Sequence, residues 1–129
     1  MLDHLRLTVR DVAEAYRLYD PLLRCLGFEE VERDDDGVAW GRDEAGPTQW
    51  LILTPASRAG EHDAAAPGLH HVAFSAADRA VVDRAHEVAG EAGAEILDPP
   101  QEFDYEPGYY ATFFRDPNGF KLEVVTRIR

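Results

Sequence analysis

The sequence holds a single cysteine, Cys25, so no disulfide can form within the chain and no multi-cysteine zinc site can be built. Cys25 lies between Leu22 and Leu26 on a predicted amphipathic helix, with no nearby base to activate it, and reads as packing. Long apolar runs are also missing. No window reaches the roughly 18 apolar residues of a membrane span, and residues 1–11 lack the apolar stretch of a secretory signal. A cytoplasmic protein without a membrane partner is expected. Positive charge is scarce too. The 13 Lys and Arg stand against 25 Asp and Glu, and the net charge of -12 would repel a phosphate backbone, which argues against nucleic acid as a partner. The run Asp34-Asp35-Asp36-Gly37 lacks the spaced ligands and closing glutamate of a calcium loop, and reads as a solvated hairpin turn.

What is present suffices for one hydrophobic core, since 129 residues with 45% hydrophobic content fit one domain better than two. Within it the chain repeats itself. His4-Leu5-Arg6-Leu7-Thr8-Val9-Arg10-Asp11 lies against His71-Val72-Ala73-Phe74-Ser75-Ala76-Ala77-Asp78, a shift from position 4 to position 71. Each segment opens with histidine, alternates apolar residues as a half-buried strand does, and ends in an aspartate suited to cap a helix. A helical stripe follows each: Val12, Ala15, Tyr16, Tyr19, Leu22, Leu23 and Leu26, stopped by Gly27, then Val81, Val82, Ala85, Val88, Ala89 and Ala92, stopped by Gly93. Pro21 should kink or interrupt the first helix near Asp20.

Three strands follow each helix. They are Phe28 to Arg33, Val38 to Arg42 and Gln49 to Thr54, then Glu95 to Leu97, Tyr109 to Arg115 and Phe120 to Thr126. The fold class is therefore α+β, with two β-α-β-β-β modules, about 1–54 and 69–129, joined by a linker at about 55–68. One helix cannot cover a four-stranded sheet, so two such sheets are expected to pack around a common cavity.

The chemistry concentrates in the run from Tyr109 to Val125. Asp116-Pro117-Asn118-Gly119 is a turn between two β-rich runs, and its return strand carries Glu123 among Leu122, Val124 and Val125. A carboxylate buried there needs a partner or a metal. His4 and His71, at equivalent points of the duplicated strands, are the candidate partners. Two imidazoles and a carboxylate suit Fe, Mn, Zn, Ni or Co as divalent ions and leave positions open for a substrate. His70 is the rival to His71, but adjacent strand residues point to opposite faces, so both cannot line one cavity. His62 and His86 are assigned to solvent, and Asp78 and Asp116 to structural caps and turns.

The segments Gly68-Leu69-His70-His71-Val72-Ala73-Phe74 and Phe114-Arg115-Asp116-Pro117-Asn118-Gly119-Phe120-Lys121-Leu122-Glu123 resemble the vicinal oxygen chelate superfamily, which includes glyoxalase I, fosfomycin-resistance thiol transferases, methylmalonyl-CoA epimerases, bleomycin-binding proteins and extradiol dioxygenases. The resemblance spans nearly the whole chain and implies a half-open barrel of two modules around a metal, commonly as a homodimer. It implies His4, His71 and Glu123 as metal ligands, with His4 either from the same chain or from the partner. Four-ligand members carry a further glutamate or glutamine on the last strand of the first module, where this chain reads Trp50 or Leu51, only a register slip bringing in Gln49. A three-ligand pattern remains, as in the fosfomycin-resistance and extradiol members. Trp40, Trp50, Phe74, Phe103, Tyr105, Tyr109, Tyr110 and Phe113 could line a pocket for a small-molecule substrate, with Tyr105 or Tyr109 as hydrogen-bond donor, although most of them are expected in the core. The stretch from Tyr105 to Tyr110 is expected to act as a lid.

The function expected is a metal-dependent lyase, dioxygenase or transferase in which the ion chelates vicinal oxygens and Glu123 takes part in catalysis. The competing expectation is a metal-free protein that sequesters an aromatic drug or metabolite, as the bleomycin-binding members do.

Overall fold

A computed structural model describes residues 2–43 and 48–128. They divide into two compact units, Met1–Gly60 and Glu61–Arg129. The first unit runs β1 (His4–Val9), α1 (Val12–Cys25), β2 (Glu29–Asp34), β3 (Gly37–Arg42) and β4 (Gln49–Pro55). The second runs β5 (Val72–Ser75), α2 (Arg79–Glu91), β6 (Glu95–Glu102), β7 (Tyr110–Arg115) and β8 (Lys121–Thr126). Each unit forms one four-stranded mixed sheet, ordered β1-β4-β3-β2 and β5-β8-β7-β6, with the outer pairs β1-β4 and β5-β8 parallel and the rest antiparallel. No helix is long and apolar enough to cross a membrane among the described residues.

The local devices are duplicated along with the topology. Asp11 caps α1 by accepting from the Glu14 backbone N–H at 3.1 Å, and Asp78 caps α2 by accepting from that of Val81 at 3.0 Å. At the other end, Gly27 and Gly93 take φ of 89° and 82°, which lets the chain turn back. The Phe28 N–H then donates to the Leu23 carbonyl at 2.8 Å, and the Ala94 N–H to that of Ala89 at 3.0 Å. Gly37 closes the Asp34-Asp36 turn because nothing larger fits: a Cβ there would meet the Leu53 carbonyl oxygen at 1.8 Å. The Asp34 carboxylate accepts from the Asp36 N–H at 2.7 Å, as a turn residue does.

One face of each sheet packs on its own helix. In the first unit Leu7, Val9, Val38, Trp40, Leu51 and Leu53 are buried with Ala15, Leu18, Tyr19, Leu22 and Leu23 of α1. Trp40 is fully buried, and its indole N–H donates to Asp20 at 3.0 Å. In the second unit Phe74, Phe114, Leu122 and Val124 are buried with Val82, Ala85, Val88 and Ala89 of α2.

Three sequence expectations need correction. α1 is not interrupted at Pro21 but continues to Cys25. Proline removes one donor, whose acceptor would have been the carbonyl of Arg17, an exposed residue where water can serve instead. β6 extends from Glu95 through Pro99 and Pro100 to Glu102, past the predicted end at Leu97. It is an edge strand with register shifts against β7, which is where a sheet tolerates proline. Finally, His70 and His71 precede β5, so strand alternation does not separate them; their rings meet, with Nδ1 to Nδ1 at 2.8 Å.

Candidate functional site

Along β8 the side chains of Lys121, Glu123 and Val125 alternate with Leu122 and Val124, and so occupy the face opposite α2. Glu123 is the central residue of this face. Across the sheet it is flanked by Phe113 of β7 and Ala73 of β5. It is also 2% exposed, a burial that an unpartnered carboxylate would make costly.

Two groups meet that carboxylate's needs, and a third stands behind one of them. The Tyr109 hydroxyl makes a short hydrogen bond to Oε2. His71 Nε2 stands 3.2 Å from Oε1, and His70 Nδ1 stands 2.8 Å from His71 Nδ1. With Glu123 ionised the carboxylate accepts only, so His71 Nε2 is the donor of that contact, and when the ring is neutral its Nδ1 accepts from His70. Burial, followed by the hydrogen bond to Glu123 and the charge of that carboxylate, pushes the Tyr109 hydroxyl well above its ordinary range and keeps it a donor.

The surroundings are aromatic. Phe113 lies 6.4 Å from the His71 ring and 5.4 Å from Phe103, while Tyr105 stacks on Phe103 at 5.4 Å and meets Tyr109 edge-on at 5.0 Å. Ala111, Phe113 and Val125 form a small core on this face, with Leu97, Phe103 and Tyr109 packed against it. The segment between Phe103 and Tyr109 is closed by its own backbone, as the Phe103 N–H donates to the Tyr109 carbonyl at 2.9 Å.

The second unit thus brings together His71, Glu123 and Tyr109. Tyr105 is 67% exposed, and among the described residues its hydroxyl has no hydrogen-bond partner. His4 opens β1 in the first unit, where its Nδ1 lies 2.6 Å from Asp3. Within the second unit itself, among the described residues, no three His, Cys, Asp or Glu side chains gather as a metal site. The donor chemistry nevertheless fits a divalent ion. Two cis ligands each about 2.1 Å from a common ion stand about 3 Å apart, which is close to the His71 to Glu123 separation. For His71 to ligate through Nε2 its proton must move to Nδ1, which reverses the bond to His70.

The register also corrects the fourth position. β5-β8 pairs Val72 with Leu122, and β1-β4 pairs Leu5 with Leu51, so the first-unit counterpart of Glu123 is Ile52, neither Trp50 nor Leu51. An aliphatic residue stands there, and the three-ligand pattern is unchanged. His62, expected in solvent, instead packs edge-on against Phe120 at 4.8 Å, and its Nε2 is buried without a partner. His86 is half-buried on α2, with Nδ1 enclosed, because the helix places it beside the buried row of Val82, Ala85 and Ala89. Two cations near the carboxylate had no role in the sequence reading. Lys121 Nζ lies 4.8 Å above Phe113, and the Arg127 guanidinium lies 5.0 Å above Tyr109. Their signal was parity with Glu123, Lys121 within β8 and Arg127 just past its end.

A duplicated β-α-β-β-β unit, with a buried carboxylate on the last strand of the second copy and a histidine before that copy's first strand, defines a glyoxalase-like class of protein. The family model described as Glyoxalase/Bleomycin resistance protein/Dioxygenase superfamily matches residues 1–124, and the chain belongs to that superfamily. It is similar to the uncharacterized protein YqjT of Bacillus subtilis (strain 168), at 28% identity over 96% of this chain and 97% of the relative. Among solved structures it resembles a protein from Bacillus halodurans assigned to the glyoxalases, with a TM-score of 0.79 and 30% identity over 97% and 94% of the two chains. A glyoxalase/bleomycin resistance protein from Albidiferax ferrireducens T118 shares the fold at a TM-score of 0.77 and 21% identity over 96% of each chain.

Proposed function

We propose that the protein is a metal-dependent enzyme whose ion is held by His71 and Glu123, with His4 as third ligand, and whose substrate is a small molecule with vicinal oxygens. The observation that carries this reading is the pairing of His71 Nε2 with Glu123 Oε1 at 3.2 Å on a carboxylate that is 2% exposed. His4 enters because it is the duplicate of His71 in a sheet of identical topology. Bound there, a divalent ion would supply Lewis acidity to the chelated oxygens.

The chain's own residues have distinct tasks in this reading. Tyr109 holds Oε2 of Glu123 and so leaves Oε1 turned toward His71. Glu123 is then the group that would take up a substrate proton, and its burial would strengthen the interaction. Phe113 and Phe103 would exclude water from one side, and Tyr105, exposed and stacked on Phe103, would donate to a ligand and belong to a lid. His4 would come from the same chain or from the partner in a homodimer.

Elemental analysis after purification without chelator tests the proposal. About one divalent ion per chain is expected, with His71→Ala and Glu123→Ala each abolishing it. Mixing His4→Ala with Glu123→Ala subunits restores a fraction of the sites if His4 acts across a dimer. Equal metal in the wild type and both variants would refute the ligand assignment.

A second reading, metal-free sequestration of an aromatic compound, is supported by a specific feature. Tyr109 and His71 already satisfy Glu123, so the carboxylate does not need an ion to be stable where it is. Binding of catechols that is the same with and without metal would favour this second reading.

A further inference from the structure

Twelve of the 13 basic residues are arginine; the only lysine is Lys121. It stands two residues before Glu123 on the same face of β8, so the two Cα atoms are about 7 Å apart. Its ammonium rests on the face of Phe113, 4.8 Å from the ring centroid, within the range of a cation–π contact. Phe113 is the ring whose other neighbours are His71 and Phe103. Among the described residues Lys121 makes no ion pair, although the chain carries almost twice as many acidic as basic side chains. Arg127, the matching cation at the far end of the stripe, is by contrast paired with Glu106.

A lysine held this way keeps its hydrogen-bond donors for something that is not protein. The ring beneath it accepts no ordinary hydrogen bond, and three N–H groups remain to be used. A net charge of -12 repels anions from the surface as a whole, so an anionic ligand entering here needs a local cation. Lys121 supplies it beside Phe113, two residues along β8 from the carboxylate at the centre.

We propose that Lys121 anchors an anionic group of the ligand, so that the site takes an oxygen-chelating aromatic or similarly planar molecule that also bears a carboxylate. The chelating oxygens lie at the Glu123 and His71 end, the planar body runs along this face of the sheet toward Lys121, and the carboxylate accepts from Lys121 Nζ. This assignment rests on the chelation reading above and adds the substrate's charge and length to it.

The test uses the cobalt(II)-loaded protein, whose visible absorption reports chelation, with 3,4-dihydroxybenzoate and its neutral analogue 3,4-dihydroxybenzamide as probes. The wild type is expected to bind the carboxylate about tenfold or more tightly than the amide, in line with a charge-assisted hydrogen bond. In Lys121→Gln that preference falls to about one, while the affinities for cobalt and for the amide stay as they were. A wild type that does not discriminate, or a preference that survives Lys121→Gln, overturns the proposal. If the wild type holds no cobalt, the chelation reading fails, and Lys121 is judged by itself. Reductive methylation with 13C-formaldehyde then gives one lysine resonance, identified by its loss in Lys121→Arg. A shift of that resonance with benzoate and none with benzyl alcohol supports the anchor, and the same response to both overturns it.

Discussion

The two sheets differ in chemical character on one face and only in side-chain size on the other. Against the helices, the row Trp40, Leu51 and Leu5 in the first unit corresponds to Phe114, Leu122 and Val72 in the second, and every member but Leu5 and Val72 is buried. On the opposite faces the row Ala39, Ile52 and Arg6 corresponds to Phe113, Glu123 and Ala73. A helix-covered face must fill a fixed volume without unpaired polar atoms, and that leaves few solutions. The other face carries no such obligation within its own unit, and there one copy has an aliphatic centre while the other has a carboxylate, an imidazole neighbour and a phenol to hold it.

The first way to break this comparison is to attack what is shared. Trp40→Ala and Phe114→Ala remove equivalent fully buried rings, and each is expected to cost about 3–5 kcal/mol of stability. Trp40→Phe, which copies the second unit's residue into the first, should cost less, about 1–2 kcal/mol, because it loses mainly the indole bond to Asp20. Chemical denaturation with the slope checked for constancy measures all three. If Trp40→Ala were tolerated while Phe114→Ala was not, the helix-facing rows would not be doing the same job.

What could be read in the sequence follows the same division. The caps at Asp11 and Asp78, the stops at Gly27 and Gly93 and the strand alternation are short-range devices, and residues within one turn of one another specify them. Glu123 was legible because a carboxylate among Leu122, Val124 and Val125 contradicts its surroundings. Its bond to Tyr109 was not, since it depends on how β7 lies beside β8 and on a side chain just outside the strand. The contact between His70 and His71 was misjudged because the strand rule was applied one residue before the strand begins. Ile52 was missed as the counterpart of Glu123 because linear alignment through loops of unequal length cannot fix a register that only the pairing of β1 with β4 defines.

The second break is made on the divergent face, by giving the second sheet the first sheet's centre. In the metal-free protein Glu123→Ile leaves the Tyr109 hydroxyl, half-buried beside it, without its acceptor, so the single change should destabilise. Adding Tyr109→Phe removes the orphaned group. The double variant is expected to be close to the wild type in stability, because a buried polar pair replaced by apolar side chains is often neutral or better. A double-mutant cycle should therefore give a coupling of about 1–3 kcal/mol between the two positions. Additivity within about 0.5 kcal/mol would mean that the bond to Tyr109 serves neither stability nor the orientation of the carboxylate.

The smallest effect sharpens the comparison at the helix edges. Each unit ties its helix to the sheet with a tyrosine, a carboxylate and an arginine over the tyrosine ring. In the first, the Tyr16 hydroxyl donates to Glu30 at 2.6 Å, with Arg33 on Glu30 at 2.8 Å and 4.4 Å above the Tyr16 ring. In the second, the Tyr110 hydroxyl donates to Asp83 at 2.6 Å, and Arg79 lies 4.5 Å above its ring while pairing with Glu102. Both phenols are raised above their ordinary range, first by the hydrogen bond to the carboxylate. Their contribution is therefore present below about pH 10, the unperturbed tyrosine value, and lost as pH climbs above it. On the acid side the hydrogen bonds from Arg33 and then Tyr16 lower Glu30 from 4.5 to about 2. A depressed carboxylate stabilises above its unfolded value and ceases to do so as pH falls through the folded one, so the Glu30 contribution fades between pH 4.5 and about 2. Melting temperatures of Glu30→Gln and the wild type should differ slightly at neutral pH and converge across that window. A difference that stayed constant down to pH 2 would show that Glu30 acts there by packing and not through its charge.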